Sequence, residues 1–281
     1  MSDKPANAHQ AEFWNGPGGE TWTTQRDRFN AMLRPIGHAT IARARPQPGE
    51  HVLDVGCGTG DTTGDLAKHV APGGSVTGLD ISETMLRSAR EIADAHPVPV
   101  AFHAADAQTH AFDEAAFDLV FSRFGVMFFD DSVAAFANLR RALRPGGRLA
   151  FACWQAVARN GWVHVARDVV ARHVEQPPPE DPRAPSPFAF AEADYVRGIL
   201  DAAGFRGVAL ESHETTVLTG RSLETAVETV TDRGPLSRAI HDAPKDVQAR
   251  IHADLLEALS PHAGDDGVRL GAGVWIVTAD A

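Results

Sequence analysis

Val52-Leu53-Asp54-Val55-Gly56-Cys57-Gly58-Thr59-Gly60 holds the decisive pattern of this chain. A short apolar run ends in an acid, three glycines follow at alternate positions, and a helical pattern begins at Gly60. Glycine tolerates positive φ and lacks the Cβ that holds a ligand off the backbone. Such a loop brings main chain within contact of a cofactor at the carboxyl end of a first strand, where open α/β sheets bind their ligands. The dinucleotide loop G-x-G-x-x-G sets a pyrophosphate on a helix N-terminus. Here the third glycine comes one residue early, and Asp54 stands two residues before the first. A carboxylate is unfavourable beside pyrophosphate and suits a cofactor with a cationic end. S-adenosylmethionine, with its ammonium and sulfonium, fits that charge.

Downstream, apolar runs alternate with helical patterns and short turns. Strands are expected at 51–55, 75–80, 98–103, 117–122 and 148–153, with helices at 60–70, 82–95 and 131–143 between them. Ser82 reads as an N-cap, and Pro145-Gly146-Gly147 as the turn before the fifth strand. Strand–helix alternation implies a mostly parallel sheet covered on both faces, with right-handed crossovers. Upstream, residues 1–10 read as a loose tail, Trp14 to Gly19 as a turn-rich aromatic element, and 21–45 as helix broken at Pro35-Ile36-Gly37. After residue 155 the pattern is less regular. Helices are expected at 162–174, 192–202, 223–231 and 246–259, strands at 207–217 and 273–278, and a loop at 176–187, which holds six prolines. The late helices are expected to interrupt the sheet and roof a pocket.

Further signals lie at the strand ends. Asp80 closes Gly78-Leu79-Asp80-Ile81-Ser82, twenty residues past Gly60. An acid there can accept both hydroxyls of a ribose, of S-adenosylmethionine or of NAD. Asp106, in Ala105-Asp106-Ala107, can accept from an adenine amino group, and Ala107 lets the ring approach. The fourth strand, Phe117-Asp118-Leu119-Val120-Phe121-Ser122-Arg123-Phe124, ends where the reactive methyl would lie.

These segments, in this order, resemble the class I S-adenosylmethionine-dependent methyltransferases, and most of all the small-molecule enzymes similar to the ubiquinone and menaquinone C-methyltransferases. The similarity runs from about residue 50 to 155, and Arg144-Pro145-Gly146-Gly147-Arg148-Leu149 belongs to it. The resemblance implies a Rossmann-like α/β fold with a seven-stranded, mostly parallel sheet whose last strand is antiparallel. It implies an N-terminal helical lid (1–45) over the cofactor and a binding domain (46–281) with cap insertions at about 156–190 and 220–268. The expected cofactor residues are Trp14 and Trp22 from the lid, Asp54, Gly56, Cys57, Gly58, Thr59 and Gly60 from the loop, Asp80, Ile81 and Met85, Asp106 and Ala107, and Ser122, Arg123 and Phe124. The implied activity is in-line transfer of a methyl from S-adenosylmethionine to a small molecule, leaving S-adenosylhomocysteine. An oxidoreductase using a nicotinamide, a non-catalytic module that binds S-adenosylmethionine, and other S-adenosylmethionine chemistry stay open as alternatives.

Several features narrow the acceptor. Enzymes that methylate nucleobase amino groups carry an Asn/Asp-Pro-Pro-aromatic run after the fourth strand, where this chain has Ser122-Arg123-Phe124-Gly125. Arsenite methylation needs several thiols, and only Cys57 and Cys153 are present. Asp130 and Asp131 are adjacent rather than spaced, so no metal is expected. No general base is fixed; His164, His173 and Arg123 are candidates, each with a structural alternative as a solvated, packed or ion-paired side chain. Phe124, Phe128, Phe129 and Trp154 are candidates for an acceptor wall or for plain core.

Composition sets outer bounds. A 281-residue chain with 43% hydrophobic and 22% charged residues is ordinary globular material and long enough for a full core. A formal net charge of −11 makes a phosphate backbone a poor partner. Two cysteines fit a reducing compartment. The polar start lacks a signal-peptide core, and no run approaches the ~18 apolar residues of a membrane span. The expectation is a cytoplasmic protein whose partner is a small-molecule acceptor, with no nucleic acid, no membrane span and a homodimer left open.

Overall fold

A computed structural model of the chain describes residues 5–175, 181–233 and 236–281. Three helices come first: α1 (Ala8–Asn15), α2 (Pro17–Thr24) and α3 (Arg26–Ala44). The expected tail and turn are therefore two short helices parted at Gly16, where φ is −109° and ψ −128°; residues 1–4 of the tail lie outside the described residues. Helix α1 has no buried residue, so it carries none of the periodicity that would reveal it. The expected break at Pro35 is also absent. Helix α3 runs through the proline, because Met32, Leu33, Ile36, Ile41 and Ala44 on it are buried. Burying side chains of that size stabilises by about 1.5–3 kcal/mol each, which outweighs the ~3 kcal/mol an internal proline costs.

The alternating section follows the expected order: β1 (His51–Val55), α4 (Asp61–His69), β2 (Ser75–Asp80), α5 (Glu83–Arg90), β3 (Val100–Ala104), β4 (Phe117–Arg123), α6 (Ser132–Ala142) and β5 (Leu143–Trp154). Then come α7 (Gly161–Val170), α8 (Ala193–Ala202), β6 (Arg206–Gly220), α9 (Leu223–Arg233), α10 (Ser237–His241), α11 (Lys245–Leu259), β7 (Ala263–Gly264) and β8 (Gly267–Asp280). Residues 176–180 of the expected proline-rich loop lie outside the described residues, and 181–187 are in neither helix nor strand. Pro145-Gly146-Gly147 is not a separate turn. It lies inside β5 as a bulge, where the register on β4 jumps from Phe117↔Leu143 to Leu119↔Arg148 and Gly146 takes φ +80°. The final strand is longer than its apolar signal, and α7 stops at Val170, before His173.

Among the described residues the sheet runs β3-β2-β1-β4-β5-β8-β6, and the two-residue β7 pairs with β8 outside that path. The β1–β2, β1–β4, β2–β3 and β4–β5 pairs are parallel, and β8 is antiparallel to β5. Strand order reverses between β1 and β4, the kind of switch point where such sheets hold ligands. On one face of the sheet Ile41, Val52, Leu66, Val70, Val76, Leu119 and Phe121 form a buried cluster. Cys57, Leu86, Ala89 and Phe102 form another beneath α5.

The chain divides into two compact units. The first takes the described residues up to Trp154, then Arg183–Ser212 and Val274–Ala281; the second takes the described residues of Gln155–Pro182 and His213–Gly273. The second has a core of its own, with Val169, Val170, Ile251, Leu255 and Leu259 buried among α7, α9 and α11. Among the described residues no helix is long and apolar enough to cross a membrane.

Candidate active site

The glycine loop leaves β1 in three left-handed steps, with φ +68° at Gly56, +55° at Gly58 and +84° at Gly60. The amides of Gly56 and Cys57 both donate to the Leu79 carbonyl, at 2.8 and 3.2 Å, so the loop is moored to β2. A Cβ on Gly56 would lie 2.7 Å from the Gly125 Cα, so the loops after β1 and β4 touch main chain to main chain. A Cβ on Gly58 would meet only the Met85 sulfur at 3.7 Å and Trp22 Nε1 at 3.8 Å. This sequence pattern thus delivers a bare backbone with one aromatic laid over it. Cys57 packs its sulfur toward Gly78 of β2, and burial pushes its thiol well above the usual range.

Two acids sit at the ends of β1 and β2, both buried. Asp54 accepts one hydrogen bond, from the Thr63 hydroxyl at 2.7 Å. Its other oxygen, Oδ1, is buried without a partner among the described residues. Burial raises its pKa to about 7, against the Thr63 bond and the charge of Arg123, which lower it. Asp80 accepts from the Gly58 amide at 2.7 Å and from the Ser82 amide at 2.8 Å. Burial raises it to about 6, and those backbone bonds restrain the rise. Asp80 is therefore a structural hub of the loop as well as a candidate ribose acceptor.

The remaining expected residues fall around this centre. Ser122 donates to the Val55 carbonyl at 2.8 Å and accepts from the Gly125 amide. Thr59 donates to Asp61 at 3.0 Å. Arg123 at the end of β4 reaches back to α3, where a Cβ on Gly37 would lie 3.3 Å from its Cδ. Burial lowers its pKa, and Asp54, Asp61 and Asp65 oppose that shift. Phe124 takes φ +62°, a costly conformation for a bulky side chain, and stacks on Trp154 with centroids 4.1 Å apart. Phe129 instead meets Phe136 edge-on, which places it with the core. The other two candidates are His164 and His173. Both belong to the second unit, where His164 lies 3.6 Å from Asp168 and His173 lies 2.9 Å from Asp254.

The N-terminal helices are fastened by polar groups that the pattern of apolar residues does not reveal. The Ser82 hydroxyl donates to the Trp14 carbonyl and accepts from the Met85 amide as the N-cap of α5. Asn15 donates to the Ile81 carbonyl and accepts from the Glu83 amide. Trp14 meets Phe128 and Trp22 edge-on, and Trp22 stacks on Phe29 at 4.3 Å. Asn7, read as part of a loose tail, is buried and donates through Nδ2 to both oxygens of Asp106, at 2.9 and 3.0 Å. Ala107, next to it, is buried.

Comparison with known proteins bears on this arrangement. The profile of a family described as "methyltransferase domain" matches residues 52–147. The nocamycin O-methyltransferase of Saccharothrix syringae is 37% identical over 119 residues, which span 42% of this chain and 42% of that protein. The ubiquinone/menaquinone biosynthesis C-methyltransferase UbiE of Burkholderia orbicola is 40% identical over 110 residues, 39% of this chain and 45% of that one. The chain thus spans less than half the length of either relative. Phosphoethanolamine N-methyltransferase 2 of Haemonchus contortus, solved in complex with S-adenosyl-L-methionine, superposes with a TM-score of 0.57 at 18% identity, covering 96% of this chain and 59% of that one; that likeness speaks for the fold. The glycine loop, Asp54, Asp80 and the strands of the switch point all fall inside residues 52–147, the stretch that matches the methyltransferase-domain profile.

Proposed function

We propose that this chain binds S-adenosylmethionine across the carboxyl ends of β1, β2 and β4 and transfers its methyl group to a small-molecule acceptor. The observation that carries the proposal is Asp54: a buried carboxylate at the head of the glycine loop with one oxygen lacking any partner among the described residues. A buried, unpaired acceptor is costly, and a cationic ammonium is the group that relieves it. The bare face of Gly58 beside Met85 and Trp22 suits close approach of a nucleoside. The residues present therefore fit the cofactor.

Asp54 would hold the ammonium, Asp80 the ribose hydroxyls and Asp106 the adenine amino group. Gly56, Cys57, Gly58, Thr59 and Gly60 would supply the floor, and Ile81, Met85, Ala107, Ser122, Arg123 and Phe124 the walls, with Trp14 and Trp22 from the lid. The cofactor, when bound, supplies an electrophilic methyl on a leaving group that needs no proton. The chain's own contribution is then alignment and exclusion of water, and holding two reactants in line can account for ~7–11 kcal/mol of a barrier. No histidine is required for that, and Arg123 remains the candidate for steering an acidic acceptor. Two buried thiols and a small-molecule acceptor accord with a cytoplasmic setting.

Calorimetry tests the proposal directly. S-adenosylhomocysteine should bind and NAD should not. Binding of NAD in preference to S-adenosylhomocysteine would refute it.

A further inference from the structure

Asn7 begins α1, yet it does not behave as a helix cap. An asparagine at this position usually turns its side chain onto the first free amides of the helix, and here it makes no such bond. The side chain reaches across to the ends of two strands. Its Nδ2 donates to both oxygens of Asp106 and to Gln108 Oε1, at 2.9, 3.0 and 3.1 Å. Its Oδ1 accepts from the Asp130 amide at 2.7 Å, and its own amide donates to Asp130 Oδ2 at 2.6 Å. The residue holds φ +54° to do so and is 2% exposed.

The donor that faces Asp106 is a planar NH₂ group on an sp² carbon, the same kind of group that an aminopurine presents. A carboxylate offers roughly four lone-pair sites. Asp106 receives Asn7 on both oxygens, the Gln108 amide at 2.9 Å on Oδ1 and the Thr109 hydroxyl at 3.3 Å on Oδ2. Its acceptor capacity is filled from within the chain.

From this geometry we infer that Asn7 is an internal ligand for the base-reading acid. Binding of the donor's adenine at Asp106 then requires Asn7 to leave, and the N-terminal helices it anchors must loosen with it. The inference rests on the cofactor placement proposed above. Breaking the Asn7 contacts is a cost the free protein imposes on its ligand. A ligand whose competent state is a minor population binds more weakly by that fraction, so deleting Asn7 strengthens binding.

The test uses the full chain, as wild type and as Asn7→Ala and Asn7→Asp. The aspartate sets a carboxylate against Asp106 and Asp130, so both variants free the acid. Titration with S-adenosylhomocysteine should show the variants binding on the order of tenfold more tightly. Tryptophan emission of the ligand-free variants should shift to the red, as Trp14 and Trp22 lose their cover. Circular dichroism and the melting temperature check that the sheet domain stays folded. A gain of threefold or more in both variants supports the inference. A smaller gain, no change or weaker binding overturns it, because Asn7 would then belong to the bound state. Wild type that binds S-adenosylhomocysteine while the variants show no gain sinks the internal-ligand role alone. Wild type that fails to bind it at all sinks the cofactor placement and this inference together.

Discussion

Replacing Asp54 by asparagine should stabilise the protein at alkaline pH while weakening its cofactor binding. Asp54 is fully buried, and burial raises its pKa from 3.8 to about 7. In the native state it therefore binds a proton that the unfolded chain has already released, and between about pH 4 and pH 7 stability falls as pH rises. Each tenfold difference in proton affinity between the two states is worth about 1.4 kcal/mol, so the ionised form costs the fold about 4 kcal/mol above pH 7. Asparagine carries no charge and keeps an oxygen for the Thr63 hydroxyl, which lies 2.7 Å away. Its NH₂ must then occupy the site of Oδ1, where no partner exists among the described residues, at a cost of about 1–3 kcal/mol. The net gain at pH 8.5 is roughly 1–3 kcal/mol. It should shrink by about 2–3 kcal/mol at pH 5, where native Asp54 is already protonated. Urea unfolding of both proteins at the two pH values measures the difference. The same variant should bind S-adenosylhomocysteine at least tenfold more weakly by calorimetry. A variant less stable than wild type at pH 8.5, or a stability difference that does not change with pH, would contradict the reasoning.

Other perturbations probe separate parts of the site. For wild type, affinity for S-adenosylhomocysteine should fall about tenfold for each step of one in pH below about 7, since protonated Asp54 no longer attracts an ammonium; a titration series from about pH 5.5 to 8.5 reads this. Asp80→Ala should abolish binding and also destabilise by roughly 2–6 kcal/mol, because the amides of Gly58 and Ser82 both lose their acceptor; denaturant midpoints separate the two effects. Thr63→Val should raise the Asp54 pKa further and move the binding profile to higher pH, since the hydroxyl is the bond that lowers it. His173→Gln should leave S-adenosylhomocysteine affinity within about twofold, because its partner is Asp254 in the second unit.

The sheet was legible because its signals are local. The apolar runs at 51–55, 75–80 and 117–122 end where the strands end, give or take a residue, and turn residues mark the gaps. The acids at 54 and 80 were legible because strand ends point one way in a parallel sheet. The first helix was hidden for the opposite reason. Helix α1 buries no apolar face and is held by Asn7, Asn15 and the Trp14 carbonyl, contacts whose partners lie 66 to 123 residues away. No periodicity records such bonds. Pro35 misled because a local breaker was overruled by tertiary burial, which a window of sequence does not contain. His173 has the right chemistry for a base, but nothing in its local sequence marks Asp254, 81 residues away, as its partner.

The contact between Gly56 and Gly125 ties together two loops that are 69 positions apart in the chain. Neither position can gain even a methyl group without pushing the other, and Gly56 carries the further restriction of its left-handed backbone. Substitutions here cannot be tried one at a time by drift: the first step on either side pushes apart the loops that follow β1 and β4. The separation of the two strand ends is thus set by atoms common to every amino acid, and the tolerance for change at this junction is that of main chain against main chain.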